Sequence, residues 1–481
     1  MSKKIFFWFL VALFFTTAPL VIFYSIGYRF NPQRGIFVYT GSLSIKSNPQ
    51  NVEVYIDGKI ENKTINRINN SYHLGGIKPG EHLIEVNAPG FNSWNKKIAV
   101  NSGTSTEFWN VVLTRSDYAR KSYPTTGIEK FFFDPGKRMI AYTQNIGQGF
   151  SVNILDISAN KSETVFTSSE YSFIDDEKEN MEWAPKIQSV IIPAIKNNEK
   201  TYFIVDIGRE KIENIKDLTG ADKIEKVRWD KNNKNFIFYL LEGDLHYMDT
   251  QNPSENKIIA KGVSSYDISS GYVYFFRLSN GIIYRANPEG NEDSQQITTS
   301  APDNMNDPNY KITVYDQDRI ALLNKSGELY IYNNGGRNNY FQRLASGISE
   351  TQFSNDGKKM IYWNDREVSV YFTRDWEVQP WRSENEQKEI IRFSEKINNV
   401  QWSKDYEHVI FSVRNKIKTA EIDNRGQNNI QDILSLDSDK TRIVSDFSNN
   451  QLYFINQINN QNNLYSVTFP ETIGILGFGG N

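Results

Sequence analysis

The chain has 481 residues, 39% hydrophobic and 23% charged, with a formal net charge of −3 and no cysteine. That length exceeds one ordinary core and implies two or three domains, unless one of them is a large β architecture. Near-neutral charge argues against a nucleic-acid binder, which needs a basic stripe to displace counterions. The missing cysteine excludes disulfides, thiolate zinc sites and cysteine nucleophiles. Aromatic residues make up 14%, with 30 Phe and 26 Tyr, an excess that suits half-buried pleated surfaces and leans towards β-structure.

Residues 5–28 carry no charge and open with the run IFFWFLVALFF, with Ile5, Trp8, Leu20 and Tyr28 marking the span. At helical rise such a segment extends about 36 Å, enough for a hydrocarbon core of about 30 Å with some tilt. Lys3 and Lys4 precede it and Arg29 and Arg34 follow, so flanking charge alone does not orient it. A head of residues 1–4 is too short to be a domain, which places the N-terminus in the cytoplasm and the bulk outside. A cleaved signal peptide is the alternative; against it, Thr16-Thr17-Ala18 runs directly into Pro19, a poor cleavage junction. Tyr24 and Tyr28 fall where an interfacial aromatic belt would sit.

Residues 41–115 read as short alternating strands. SLSIK at 42–46 and VEVYI at 52–56 place apolar residues at every second position, the period of a strand with one buried face. Asp57-Gly58, Lys78-Pro79-Gly80-Glu81 and Ala88-Pro89-Gly90-Phe91 are turn signals. Strands HLIEV, KIAV and FWNVVL follow at 82–86, 97–100 and 108–113, a spacing that predicts a small β-sandwich. The order SLSIKSNPQNVEVYIDGK, then GIKPGEHLIEVNAPGFNSWNKKIAV, resembles a PEGA domain; residues 61–70 depart from that pattern. The resemblance implies a surface-associated, non-catalytic module and no substrate. Phe91 and Trp94 read as core packing and turn anchoring.

From residue 118 to 481 one phrase recurs: an aromatic or apolar residue, a polar turn, then an apolar strand. The aromatic copies are marked by Phe133, Trp183, Trp229, Phe353, Trp402 and Phe447, and two degenerate copies by Ile268 and Tyr315. Their intervals average about 45 residues, the period of four-stranded propeller blades. FSNDGKKMIY at 353–362 is similar to the repeat of TolB-type, WD40-like propellers. An all-β fold follows: an N-terminal transmembrane helix, a PEGA-like sandwich, and a β-propeller of about eight blades, or seven if one degenerate copy is an insertion. The marker aromatics are expected to pack between blades. For the last blade's missing strand the apolar tail at 473–478 is preferred over the segment 118–126.

The chemistry-bearing inventory is thin. There is no G-x-S-x-G elbow, P-loop or dinucleotide fingerprint. The four histidines, His73, His82, His246 and His408, are not at metal-ligand spacing. No cofactor or metal is implied. The turn acids Asp134, Asp230, Asp356 and Asp405 read as solvated turn formers. Two insertions are candidate recognition surfaces: the polar stretch 289–310, expected as a mobile loop, and residues 373–387 with Trp376 and Trp381. The expectation is a membrane-anchored, non-catalytic binding or scaffold protein of the cell envelope. Its partners would be lipid through the helix and an envelope protein or glycan. The alternatives are a hydrolase or lyase with a channel-mouth site, or an accessory subunit of a membrane complex.

Overall fold

In an apolar medium a backbone must satisfy its own hydrogen bonds, and Lys3–Ile26 forms one α-helix with Pro19 inside it. The computed structural model of the chain describes residues 3–32, 35–61, 70–174, 180–290, 293–303, 305, 309–335 and 341–470. The helix buries none of its residues and is long and apolar enough to cross a membrane. Ile5, Trp8 and Leu20 are exposed on it. Tyr28, expected to end the helix, instead opens a hairpin of Tyr28–Asn31 with Ile36–Tyr39. Gly27, at φ +107, breaks the helix first.

The next region is a sandwich of two sheets. One holds Tyr72–Ile77, Gly41–Asn48 and Ser105–Val112; the other holds Lys59–Ile60, Glu53–Ile56, Gly80–Asn87 and Trp94–Val100. Their facing residues, including Leu43, Ile45, Val54, Ile84, Val86 and Phe108, form a single core. Asp57 and Gly58 both take positive φ, 51° and 74°, between the paired residues Ile56 and Lys59. This is the two-residue hairpin geometry that matches strand twist. Tyr72–Ile77 was not anticipated, because two glycines obscure its alternation. Residues 62–69 of the departing segment lie outside the described residues.

Beyond residue 120, the described residues form eight successive antiparallel sheets. Their innermost strands are Ile128–Phe133, Glu182–Trp183, Ile224–Trp229, Val263–Ser269, Tyr310–Asp316, Glu350–Phe353, Ile397–Trp402 and Ile443–Asp446. Each repeat marker therefore sits at the end of an innermost strand, one residue before it for Ile268 and Tyr315, or just beyond it for Phe447. Adjacent sheets share one apolar cluster apiece, and the eighth shares one with the first, through Tyr453, Ile455 and Leu464 against Phe131, Ile140 and Tyr142. The sheets thus close a ring. Middle strands are buried on both faces, so Ser189–Lys196 reads as a continuous apolar run, not an alternating one.

Trp183, Trp229, Phe353 and Trp402 are buried between neighbouring sheets, while Phe133 is half-buried in such a cluster and Phe447 is half-buried beside Tyr406. The three indoles share a further contact. Trp183 Nε1 donates to the Phe132 carbonyl (3.0 Å), Trp229 Nε1 to Glu182 (3.2 Å) and Trp402 Nε1 to Gln352 (3.2 Å). Each acceptor immediately precedes the marker of the preceding sheet. One side chain thus fills the gap between two sheets and ties its donor to the neighbour's backbone.

The eighth sheet takes its outermost strand from the start of the region: Lys121–Ser122 pairs with Gln461–Thr468. Tyr123 follows, its amide donating to the Leu464 carbonyl (3.1 Å) and its hydroxyl lying 3.1 Å from Ser466 Oγ. The preference for the C-terminal tail is therefore corrected, since the outer edge of Gln461–Thr468 is already paired; residues 473–478 lie outside the described residues. The stretch 289–310 also differs from expectation. Gln295–Gln296 is the outermost strand of the fourth sheet, and Thr298 is buried with its hydroxyl accepting from the Ile283 amide (2.9 Å).

Two substitutions measure these contacts. Trp402→Ala should destabilise by about 3–5 kcal/mol, from the cavity and the lost indole bond. Tyr123→Ala should cost about 3 kcal/mol by opening the seam. Urea unfolding of each variant checks both; an unchanged midpoint for either would mean that its ring does not hold two sheets together.

Candidate functional site

The ring interior is lined by charged and amide side chains, and successive innermost strands are stitched by them. Arg228 reaches back to Glu182 (2.9 Å) and forward to Asp267 (3.3 Å), and Asp267 accepts from the Val314 amide (2.9 Å). Lys311 pairs with Glu350 at 2.5 Å. Gln352 accepts from the Trp402 amide (3.2 Å), and Gln401 both donates to the Ile443 carbonyl (3.2 Å) and accepts from the Ser445 amide (3.0 Å). The Glu182 carboxylate, with Asp267 adding to it, holds the half-buried Arg228 firmly charged. A cavity of about 440 Å³ lies between the second and fifth sheets, lined by Lys200, Tyr202, Lys226, Arg228, Tyr266 and Lys311. Arg228 with Glu182 and Asp267, and Lys311 with Glu350, tie neighbouring innermost strands together.

A second cluster joins the sandwich to the ring. In Trp94–Val100 every second residue is buried: Trp94, Lys96, Ile98 and Val100. Lys96 thus points inward with the apolar residues, wholly buried. Its ammonium sits 2.7 Å from Glu421 and 3.7 Å from Asp423 and donates to the Asp423 carbonyl. Trp94 Nε1 donates to the same Glu421 (3.1 Å). Arg425 holds Asp423 at 2.6 Å, donates to the Glu107 carbonyl (2.7 Å) and lies 4.4 Å from the centre of the Phe108 ring. Gln379 accepts from the Glu107 amide (3.1 Å) and donates to the Ser105 carbonyl (2.9 Å), and Gln431 accepts from the Thr114 amide (2.8 Å). Gly426, at φ +71, lets the two backbones meet; a Cβ there would stand 2.3 Å from the Lys97 carbonyl oxygen.

Behind Glu421 the charges continue. His408 Nδ1 lies 2.7 Å from Asp405, and buried Lys359 contacts Glu407. Burial pushes the Glu407 carboxyl up to about 7, against the pull of the Lys359 ammonium. Burial likewise raises Glu421 against Lys96. Asp423 and Asp405 are held low: burial opposes ionisation, but Arg425 and Lys96 overcome it at the first and His408 at the second. His408 is raised, Asp405 outweighing its desolvation.

Three turn acids are not solvated as expected. Asp134 is buried and accepts from the Gly136, Arg138 and Met139 amides, and Asp230 is buried with the Tyr247 hydroxyl at 2.6 Å. Asp405 is bound by His408; Asp356 alone is exposed. Trp376 and Trp381 separate. Trp376 is half-buried against the cluster between the sixth and seventh sheets, with the Lys359 ammonium 3.9 Å from its ring centre. Trp381 is 71% exposed, with Val378 at 40% beside it in the loop. Lys96, Lys359 and Glu421 were missed because a lysine or glutamate in an alternating strand reads as solvent-facing. The available signal was phase: Lys96 keeps step with Trp94, Ile98 and Val100.

An apolar helix, a two-sheet β-sandwich and a closed ring of mostly four-stranded sheets define a β-propeller protein with a sandwich module packed on its sixth and seventh sheets. Residues 40–116 match the PEGA domain. Among the solved structures similar to the chain are the WD40-like propellers Hsv2, Swd1 and Dos1. Hsv2 of Kluyveromyces lactis is 11% identical, covering 64% of this chain and 98% of its own, with a TM-score of 0.41. The β-propeller domain of Cps50 (Swd1) of Myceliophteria thermophila is 13% identical, covering 73% and 99%, at 0.40. The Dos1 propeller is 11% identical, covering 73% and 94%, at 0.48. No curated protein sequence matches.

The interface cluster has a measurable pH signature. A carboxyl raised in the fold contributes stability that is complete below its unfolded value and fades as pH climbs through its folded one. The unfolding free energy should therefore fall by about 3 kcal/mol between about pH 4.5 and 7 from Glu407, and raised His408 adds to the fall above its own unfolded value. Glu407→Gln should flatten this slope in urea titrations; an unaltered slope would place the coupling elsewhere. Lys96→Met should cost about 3–5 kcal/mol by stranding Glu421, and adding Glu421→Gln should recover most of it.

Proposed function

We propose that this chain is a non-catalytic binding protein of the cell envelope, held in the membrane by its N-terminal helix with its bulk outside the cytoplasm. The propeller would engage a protein partner through the loop 373–386. The observation that carries this reading is the contrast within that loop. Gln379 is bonded to the sandwich, Trp376 is packed on the ring and Arg382 is bridged to Trp376, while Trp381, between Gln379 and Arg382 in the chain, is 71% exposed. A large aromatic presented from a pinned backbone loses little freedom on binding, which is how interface anchors are built. The interior charges support the same reading, because they are committed to joining strands.

A photo-crosslinking residue at Trp381 in intact membranes should trap a protein adduct of defined mass. The same residue at Ile258, exposed on an outer strand, should not, and Trp381→Ala should leave the melting temperature unchanged. Equal adducts at both positions, or none at 381, would contradict the assignment. For orientation, Leu83→Cys should react with a membrane-impermeant maleimide added outside spheroplasts, since Leu83 is exposed and the chain has no other thiol. Labelling only after lysis would reverse the topology.

A further inference from the structure

The hairpin between the helix and the sandwich displays its apolar residues rather than burying them. In its register Tyr28 faces Tyr39 and Phe30 faces Phe37, and cross-strand partners share a face. Tyr28 and Tyr39 stack at 4.9 Å and Phe30 meets Phe37 at 5.4 Å. Phe23, in the last turn of the helix, touches both pairs, 5.3 Å from Tyr28 and 6.2 Å from Phe37. Phe23, Phe30 and Phe37 are 47%, 55% and 49% exposed, so one aromatic strip runs from the helix onto the hairpin without a polar break.

On the opposite face Arg29 and Asn31 are engaged with the protein, while Ile36, opposite Asn31, is 52% exposed. Arg29 lies 3.5 Å from the Tyr24 ring centre and donates to the Tyr24 carbonyl (2.6 Å). On its other side Arg29 lies against Gly76, where a Cβ would meet its Nε at 3.3 Å. Asn31 is buried. The Thr40 amide donates to the Gly27 carbonyl (3.0 Å), and the Gly103 amide to the Thr40 carbonyl (3.1 Å). The hairpin is thereby braced between the helix end and the sandwich.

We infer that the aromatic face of this hairpin, Tyr28, Phe30, Phe37 and Tyr39, lies in the interfacial layer of the bilayer that the helix crosses. Lipid contact would then extend beyond the span and set how the sandwich stands on the membrane. This rests on the reading of the helix as an anchor. A 24-residue helix rises about 36 Å against a hydrocarbon core of about 30 Å. Its last turn therefore falls at the boundary, and the rings packed on Phe23 share that depth. Aromatic side chains with apolar bodies partition to this layer. Lipid is the occupant favoured over a second copy because the strip is continuous with a helix surface that buries nothing in the protein.

The native chain has no cysteine, so single cysteines can be introduced in the full chain, spin-labelled and reconstituted in phospholipid vesicles. Labels at Phe30→Cys and Phe37→Cys should be several-fold more accessible to oxygen, relative to a water-soluble nickel complex, than a label at Leu83→Cys. A label at Leu13→Cys reports the span itself. Aqueous behaviour at 30 and 37 with Leu13 embedded overturns this inference and leaves the anchor standing; aqueous behaviour at Leu13 overturns both. A lipid-soluble carbene reagent applied to the unsubstituted protein gives an independent reading. It should modify peptides spanning 28–39 as well as the helix, and modification confined to the helix would overturn the hairpin's placement.

Discussion

A ring of separate sheets keeps a short open edge on the outermost strand of each, and it holds together only if its two ends meet. Here they meet at Lys121–Ser122, which completes the eighth sheet against Gln461–Thr468. Much else follows from that pairing. Only a short connection separates this strand from the sandwich, which ends with Ser105–Val112, so closing the ring draws the sandwich against the sixth and seventh sheets. Tyr118 lies on this connection and is buried in the cluster between the seventh and eighth sheets. The docking cluster around Lys96 is the chemistry that this forced proximity requires. The charges there are buried because the backbones come as close as Gly426 permits.

The propeller was legible because every sheet must solve one problem with one device. An innermost strand ends in a large residue that fills the gap to its neighbour, followed by a polar turn, and so the phrase recurs with the blade period. Trp183, Trp229 and Trp402 do this most completely, each with an indole bond to the preceding sheet. The sandwich was legible through its alternation and through Asp57-Gly58, whose turn conformation is written in the residue pair. The closure was not, because Lys121–Ser122 is a two-residue strand with both residues exposed and carries no apolar pattern. Its information resides in Tyr118 and Tyr123, aromatic residues that look unremarkable in a chain with 26 tyrosines.

The candidate sites divide along the same line. Trp381 could be noticed in the sequence because a tryptophan amid charges is unusual, but its separation from Trp376 depends on how the loop is pinned by Gln379. The buried ions were invisible: Lys96 and Lys97 are adjacent and chemically identical, yet the side chain of one is fully buried and that of the other 67% exposed. Strand phase alone distinguishes them. The hairpin after the helix escaped notice for a related reason, since the apolar run continues past Gly27 and disguises the end of the helix.

These relations make the sandwich and the ring one unit joined by contact, not by the connecting chain alone. The direct test is to sever that chain. A protease recognition sequence inserted between Ser116 and Asp117, both exposed, allows the connection to be cut in the folded protein in detergent. The helix-and-sandwich fragment should then remain bound and co-elute with the propeller in size-exclusion chromatography, and should separate when Lys96→Met is also present. Separation of the fragments with Lys96 intact would show that the buried cluster does not hold the domains together, and would contradict the account.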